Sequence, residues 1–177
     1  MGKARGKGRS KSSGSQPTHT RPASSKASPH PKWFPYIAVP GASISPGIPL
    51  VLMRQDGTET EEFRALVDSG CSLTTFPAEM ASELGIDYTA CTPIRGITAS
   101  GPDHAENEST WQRYWPPGID VVFWNRTLHL QAFFRPAEIP ILLGRDDFFT
   151  YFKVLFDQRN ERFQLEPYKK DRATPTT

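Results

Sequence analysis

The feature that most constrains the fold is a short apolar run that ends in an aspartate, a serine and a glycine. Residues Ala65–Val67 precede Asp68, and Ser69 and Gly70 follow it. The apolar, β-branched residues indicate the end of a buried strand. The glycine permits a tight turn that lifts the Asp68 carboxylate out of the sheet, and the serine hydroxyl can tie that turn to neighbouring backbone. A carboxylate at such a position is costly to bury unless it performs chemistry or finds a partner, although the run by itself also fits an ordinary turn.

A second apolar run lies well downstream and also ends in a glycine. Residues Ile139–Leu143 predict a buried strand, and Gly144 ends it. An Arg-Asp-Asp sequence then leads into a short aromatic helix, which is predicted at Asp146–Phe152. Either Asp146 or Asp147 suits the N-cap of that helix, because a carboxylate accepts hydrogen bonds from the free amides of a first turn.

Together the two segments resemble the retropepsin-like aspartic protease family, over roughly residues 49–166. The resemblance implies that Asp68 is catalytic and that Ser69 and Gly70 support its loop. It implies a structural segment beneath the site, formed by Leu142, Leu143, Gly144, Arg145 and Asp146. It also implies a flap over the substrate, for which Gly96, Ile97 and Thr98 are the candidates, although an ordinary glycine loop fits them equally well. No metal and no cofactor are expected.

The rest of the chain predicts a mostly β, closed retropepsin-like barrel with one or two short helices. The Asp-Gly pair at residues 56–57 is a strong hairpin signal. Residues 33–39 fit a leading strand or a dimer-docking arm. The predicted elements are a hairpin of Leu50–Arg54 with Glu61–Val67, a helix at Pro77–Leu84, strands at Ile119–Trp124 and Thr127–Phe134 joined at Asn125-Arg126, and a final hairpin of Lys153–Phe156 with Arg162–Glu166.

Charge is distributed unevenly along the chain. Residues 1–32 carry eight basic residues and no acidic one, which leaves 13 of the 21 basic residues with all 19 acidic ones. We therefore expect a disordered basic tail at 1–32, a protease domain at 33–167 and a frayed C-terminal tail at 168–177. The basic tail either contacts nucleic acid weakly or serves as a solubilising linker. It lacks the apolar stretch of a secretory signal, and no stretch is long and apolar enough to span a membrane, so a cytoplasmic location is expected.

The cysteines and histidines leave one alternative chemistry open. The two cysteines, Cys71 and Cys91, are too few for a disulfide scaffold and show no metal-ligand spacing. Cys71 could form a nucleophile pair with His104 or His129. Alternatively, Cys71 is a small residue that fills a tight loop.

Hydrolysis by an aspartic dyad requires two carboxylates that lie close together and share one proton. One ionised carboxylate acts as general base on a water, and its protonated partner polarises the scissile carbonyl. Since the chain has only one Asp-Ser-Gly, the second Asp68 would come from a homodimer, and by resemblance Ser69 would bond across its two-fold axis. The sequence therefore predicts an endopeptidase that acts on peptide or protein substrates and is most active on the acidic side of neutral. The alternative is a catalytically silent peptide-binding or dimerisation module on the same fold, with the tail contacting nucleic acid.

Overall fold

The computed structural model describes residues 31–95, 97–98, 101–102 and 111–168. The predictions for the basic tail up to residue 30, for Gly96 and for residues 169–177 lie outside the described residues. The strands are β1 (Lys32–Pro35), β2 (Ile37–Ala38), β3 (Ile44–Ser45), β4 (Gly47–Met53), β5 (Glu59–Val67), β6 (Thr75–Pro77), β7 (Thr92–Ile94), β8 (Ile97–Thr98), β9 (Gly101–Pro102), β10 (Gln112–Phe123), β11 (Arg126–Arg135), β12 (Ile141–Leu143), β13 (Phe152–Asp157) and β14 (Arg162–Pro167). The α-helices are α1 (Met80–Glu83) and α2 (Phe148–Tyr151), and 3₁₀ turns lie at Tyr88–Ala90 and Gln158–Asn160.

Six strands close into a barrel. Their order is β11-β6-β12-β5-β4-β10, and β10 pairs back onto β11, so the sheet meets itself. Alternating side chains fill the interior: Leu50 and Leu52 of β4 and Leu128 and Leu130 of β11 are all nearly inaccessible to solvent. The predicted mostly β, closed barrel with one or two short helices is confirmed, and the described residues contain two α-helices.

The predicted first hairpin is present as β4 and β5, which pair antiparallel along their length. Its turn uses the Asp-Gly pair, with Gly57 at φ 81° and the Asp56 carboxylate accepting from the Thr58 amide at 2.9 Å. A register shift between Val51 and Met53 frees the Leu52 amide, which donates to the Thr60 hydroxyl at 3.0 Å. This hairpin therefore carries the chain directly to Asp68.

The predicted start of the first helix, at Pro77, is wrong. Pro77 is the last residue of β6, buried against β11 and aligned in parallel with Arg135. The helix α1 begins three residues later, at Met80. Burial of all three β6 side chains in the barrel wall outweighs the local preference of proline for a helical first turn.

Several further boundaries differ from the sequence-based expectation, among them the start of β12, which is Ile141 rather than Ile139. The turn between β10 and β11 is centred on Trp124 and Asn125, at φ 51° and 57°, one residue earlier than predicted. Positive φ at both positions is the requirement of the turn type that suits a twisted hairpin. The second helix, α2, begins at Phe148 rather than Asp146, because the backbone before it bonds to another loop.

A three-stranded sheet, in the order β1-β14-β13, packs beside the barrel. Its residues Phe34 and Phe163 stack with ring centroids 5.5 Å apart, and Phe34 also contacts Phe123 of the barrel. The final hairpin, β13 with β14, is thus confirmed, and residues 32–35 form a leading strand. Among the described residues, no helix is long and apolar enough to cross a membrane.

Candidate active site

Asp68 stands on a turn immediately after β5. Its amide donates to the Leu143 carbonyl at 3.2 Å, and its carbonyl accepts from the Cys71 amide at 3.3 Å. One carboxylate oxygen, Oδ1, accepts from the Gly70 amide at 2.8 Å. Asp68 is half-buried, whereas Ser69 and Gly70 are exposed. The turn therefore fixes the backbone of the aspartate while it leaves the serine and the glycine on the surface.

The chain after β12 bonds along this turn. The Arg145 amide donates to the Cys71 carbonyl at 3.0 Å, and the Asp146 amide donates to the Ser72 carbonyl at 2.8 Å. The guanidinium of Arg145 also donates to the Ser72 hydroxyl at 2.7 Å. Because β12 runs parallel to β5, with Leu142 aligned to Leu66, both strands deliver their ends to the same place. The two segments singled out in the sequence are thus brought together.

Gly144 permits this close contact. A Cβ added there would lie 2.4 Å from the carbonyl carbon of Leu73 and 2.6 Å from the carbonyl oxygen of Ser72. Both are backbone atoms, which cannot move aside as the end of a flexible side chain can. Gly144 is therefore required by the approach of two backbones.

A buried polar pair, Thr74 and Asp147, lies behind the turn and was not predicted as part of the site. The Thr74 hydroxyl donates to the Asp147 carboxylate at 2.5 Å and accepts from the Gly144 amide at 3.2 Å. The carboxylate also accepts from the amides of Phe148, at 2.6 Å, and Gln131, at 2.9 Å. Burial raises the pKa of Asp147 above its ordinary value, partly offset by these hydrogen bonds. The N-cap signal at residues 146–147 identified one member of the pair, but no local signal identifies Thr74.

A cavity of about 330 Å³ adjoins the Asp68 turn. Its walls are mostly apolar and aromatic, and they come from β5, from the segment before β4 and from the three-stranded sheet. The Tyr36 hydroxyl donates to the Gln158 side chain at 3.0 Å at one side of it. The lining residues are Tyr36, Pro46, Leu66, Val67, Asp68, Ser69, Phe156 and Gln158. Among the described residues that line it, Asp68 is the only one with a carboxylate.

The alternative nucleophile, Cys71, lies in an unsuitable setting. Its thiol is half-buried and donates to the Leu73 carbonyl at 2.9 Å. Burial raises the pKa of Cys71, and the Asp68 charge acts in the same direction, whereas a nucleophilic cysteine needs a lowered pKa. His129 bonds the Asp120 carboxylate at 2.8 Å, and His104 lies outside the described residues. This geometry favours Cys71 as a residue that fills the loop. Among the described residues, no group of three or more potential ligands is placed to hold a metal ion.

Of the flap candidates, Ile97 and Thr98 form a short paired strand, and Gly96 lies outside the described residues. Strand β8, Ile97–Thr98, pairs antiparallel with β9, with Ile97 aligned to Pro102 and Thr98 to Gly101. Their role as a flap stays a prediction.

Comparison with known proteins supports the resemblance. The sequence model of the family described as "Aspartyl protease" matches residues 53–110, a stretch that contains the Asp68 turn and the β8–β9 hairpin. Among solved structures, the chain is similar to a retropepsin-like aspartic protease from Rickettsia conorii, with 18% identity and a TM-score of 0.47 over 77% of this chain and 92% of that one. No curated protein matches the chain. The family match confirms the resemblance that the Asp68 run suggested.

Proposed function

We propose that this chain is an aspartic endopeptidase whose catalytic dyad consists of two copies of Asp68, one from each subunit of a homodimer. The observation that carries the proposal is the Asp68 turn itself. Its carboxylate is fixed by the Gly70 amide at 2.8 Å and faces a cavity of about 330 Å³, while Ser69 and Gly70 stand exposed where a second copy can approach. The match of the aspartyl protease family to residues 53–110 supports the same reaction class.

The mechanism follows from two carboxylates held close together. Like charges at that distance cannot both ionise, so the pair keeps one proton. The ionised Asp68 removes a proton from a water, whose oxygen attacks the scissile carbonyl carbon. The protonated Asp68 donates a hydrogen bond to the carbonyl oxygen as negative charge develops there. Proton transfer to the amide nitrogen then releases the amine and the carboxylic acid, with no covalent enzyme intermediate.

Most of the other described aspartates already have hydrogen-bond partners, which favours a second subunit as the source of the second carboxylate. Asp56 and Asp87 each bond a threonine two residues later in the chain, Asp120 bonds His129, and Asp157 bonds Asn160 and Arg162. Asp147 is buried and accepts three hydrogen bonds. A two-fold axis that passes beside Ser69 and Gly70 would bring the two turns together, with Gly70 permitting the approach and Ser69 bonding across the axis.

The neighbouring segments have supporting roles in this proposal. Leu142 and Leu143 deliver the 144–146 backbone to the turn, where Arg145 and Asp146 bond the loop carbonyls. The hairpin that contains Ile97 and Thr98, with Gly96 before it, would cover an extended peptide bound over the dyad.

Cleavage of a mixed peptide library tests the proposal. We expect cleavage that a dyad-directed inhibitor abolishes, and specific activity that falls as the protein is diluted through its dimer dissociation constant. Cleavage that resists the inhibitor would exclude the dyad, and full activity from a demonstrated monomer would exclude the shared site. Peptide binding without any cleavage would identify the catalytically silent module instead.

The basic tail is proposed to be dispensable for folding and turnover. A chain that begins at Lys32 keeps β1, the first strand of the three-stranded sheet. We expect its melting temperature and turnover to equal those of the full chain. Any weak nucleic-acid binding should appear only in the full chain and should fall steeply with salt. Failure of the shortened chain to fold would contradict the predicted tail boundary.

A further inference from the structure

The Thr74 hydroxyl connects two backbone segments that flank Asp68. Thr74 is completely buried, and its hydroxyl oxygen accepts from the Gly144 amide at 3.2 Å while it donates to Asp147 at 2.5 Å. Its own carbonyl accepts from the Phe133 amide at 3.2 Å, which ties the residue to β11. Thr74 thus joins the loop after Asp68, the segment after β12 and the barrel wall.

Asp147 determines the direction of the Thr74 hydrogen bonds. The Asp147 side chain already accepts from the amides of Phe148 and Gln131, and the Gly144 amide can only donate to the Thr74 hydroxyl. The Thr74 hydroxyl therefore donates its proton to Asp147, and a lone pair of the hydroxyl oxygen accepts from the Gly144 amide. A valine has nearly the same shape as threonine, but it can form neither hydrogen bond.

Gly144 transmits this arrangement to the catalytic turn. The residue before it, Leu143, accepts from the Asp68 amide at 3.2 Å, and the residue after it, Arg145, donates to the Cys71 carbonyl at 3.0 Å. These two hydrogen bonds lie on either side of the Asp68 turn. A shift of Gly144 away from Thr74 would lengthen both and move Asp68 relative to its counterpart.

We propose that Thr74 is a positioning residue for Asp68, held in the required orientation by Asp147, and that the pair acts through Gly144 on the distance between the two catalytic carboxylates. The inference rests on the proposed peptidase function. The pair touches neither substrate nor water in the reaction, and its effect is on geometry alone.

The test compares Thr74→Val and Thr74→Ser with a matched control, Thr60→Val. Thr60 is also buried, at 8% exposure, and its hydroxyl likewise accepts from a backbone amide, that of Leu52 at 3.0 Å. It belongs to the β4–β5 hairpin near its tip rather than to the site. Turnover is measured per active site, titrated with a tight dyad-directed inhibitor, so that loss of folded protein does not count as loss of kcat.

We expect Thr74→Val to lower kcat on the order of 10²-fold with little change in KM, since a small displacement of a reacting group costs about that much. Thr74→Ser restores the hydroxyl and should recover most of the lost kcat. Thr60→Val should lower the melting temperature to a similar extent while it retains the wild-type kcat. Equal kcat for Thr74→Val and Thr60→Val would overturn the inference. If Thr74→Val does not fold, Thr74→Ala takes its place because it also lacks the hydroxyl, and an unchanged kcat in that variant would overturn the positioning role.

Amide hydrogen exchange separates failure of this inference from failure of the proposed function. We expect Thr74→Val, but not Thr60→Val, to accelerate exchange at the amides of residues 68–71 and 145–146, whether or not the protein cleaves peptides. A wild-type protein without inhibitor-sensitive cleavage would refute the peptidase proposal and leave the exchange result as the test of positioning. Unchanged exchange in Thr74→Val would refute the positioning role even in an active enzyme.

Discussion

The Asp68 turn and the start of α2 each present an aspartate shortly after an apolar strand, yet the two carboxylates have opposite surroundings. Asp147 is 7% exposed and accepts from three donors, two backbone amides and one hydroxyl. Asp68 is half-buried, accepts from one amide within the described chain, and borders a cavity. Both oxygens of Asp147 are occupied by structural hydrogen bonds, whereas among the described residues only Oδ1 of Asp68 accepts one and Oδ2 is left for chemistry. Hydrogen-bond occupancy and burial together distinguish the candidate catalytic carboxylate from the structural one.

The largest expected effect comes from removing the charge of the Asp68 carboxylate. Asp68→Asn should lower turnover by at least about 10²–10⁴-fold, because the amide cannot act as general base and one substitution alters both members of the proposed dyad. The fold should survive, because the amide is nearly isosteric with the carboxylate. Peptide turnover and a thermal melt for each protein provide the measurement.

The matched control for that substitution is Asp87→Asn. Asp87 is exposed and caps the 3₁₀ turn, since its carboxylate accepts from the Thr89 amide at 2.9 Å. It has no part in the proposed dyad. The turnover of Asp87→Asn should equal that of the wild-type protein. Undiminished turnover in folded Asp68→Asn would assign the chemistry to another group. The contrast between a catalytic Asp68 and a structural Asp147 would then no longer hold.

A second prediction concerns the contact that joins the two regions. Gly144→Ala places a Cβ within 2.6 Å of three backbone atoms and should reduce the free energy of unfolding by about 1–3 kcal/mol. Turnover per folded molecule should fall as well, since the same shift moves the Asp68 turn. Denaturant unfolding followed by activity measurements tests both effects.

The glycine control is Gly47→Ala. A Cβ at Gly47 meets side-chain atoms of Val39 and Ile37 rather than backbone, so its neighbours can adjust and the cost in stability should be smaller. Turnover should remain at the wild-type level. A greater loss of turnover in Gly47→Ala than in Gly144→Ala would break the proposed link between the 144–147 segment and Asp68.

A third prediction uses the raised pKa of Asp147. Burial, reinforced by the nearby Asp146 charge, favours the protonated form in the folded state relative to the unfolded state. The stability contributed by this titration is therefore fully present below the ordinary aspartate pKa of about 4 and is lost as pH rises through the folded-state pKa. Relative to Asp147→Asn, which does not titrate, the wild-type melting temperature should decline over that window and then level off. A difference that stays constant or grows with pH would contradict the assignment.

The smallest effect is expected for Arg145→Ala. Its guanidinium donates to the Ser72 hydroxyl at 2.7 Å on the surface, and the backbone hydrogen bond from the Arg145 amide to Cys71 is kept. Loss of one exposed side-chain hydrogen bond should cost no more than about 0.5–1.5 kcal/mol. Urea unfolding measures that cost, and a loss as large as that of Gly144→Ala would show that the side chain, rather than the backbone, holds the two segments together.

The sequence predicted the parts of the site that local patterns encode. An apolar strand that meets Asp-Ser-Gly indicates both where β5 ends and that Asp68 leaves the sheet. The Asp-Gly turn of the first hairpin and the alternation in β10 and β11 are likewise short-range signals. These predictions agree with the structure because each signal depends on residues only a few positions apart.

The predicted starts of both helices were wrong, because tertiary contacts outweigh the local conformational preference of the residues there. Pro77 reads as the start of a helix, but the space between β11 and β12 selects a strand there, since all three side chains of β6 are buried. The start of α2 moved to Phe148 for a related reason. The amides of Arg145 and Asp146 bond to the loop after Asp68 instead of beginning a helical turn.

What the sequence by itself determined is the identity of the candidate carboxylate and the mostly β class of the fold. Only the tertiary structure decided which residues hold that carboxylate in place. Thr74 and Asp147 are 73 residues apart and carry no shared pattern, and they meet because β12 enters the barrel beside β5 and β6. Hydrogen bonds between distant segments depend on the closure of the whole barrel, and no local preference of either residue encodes them.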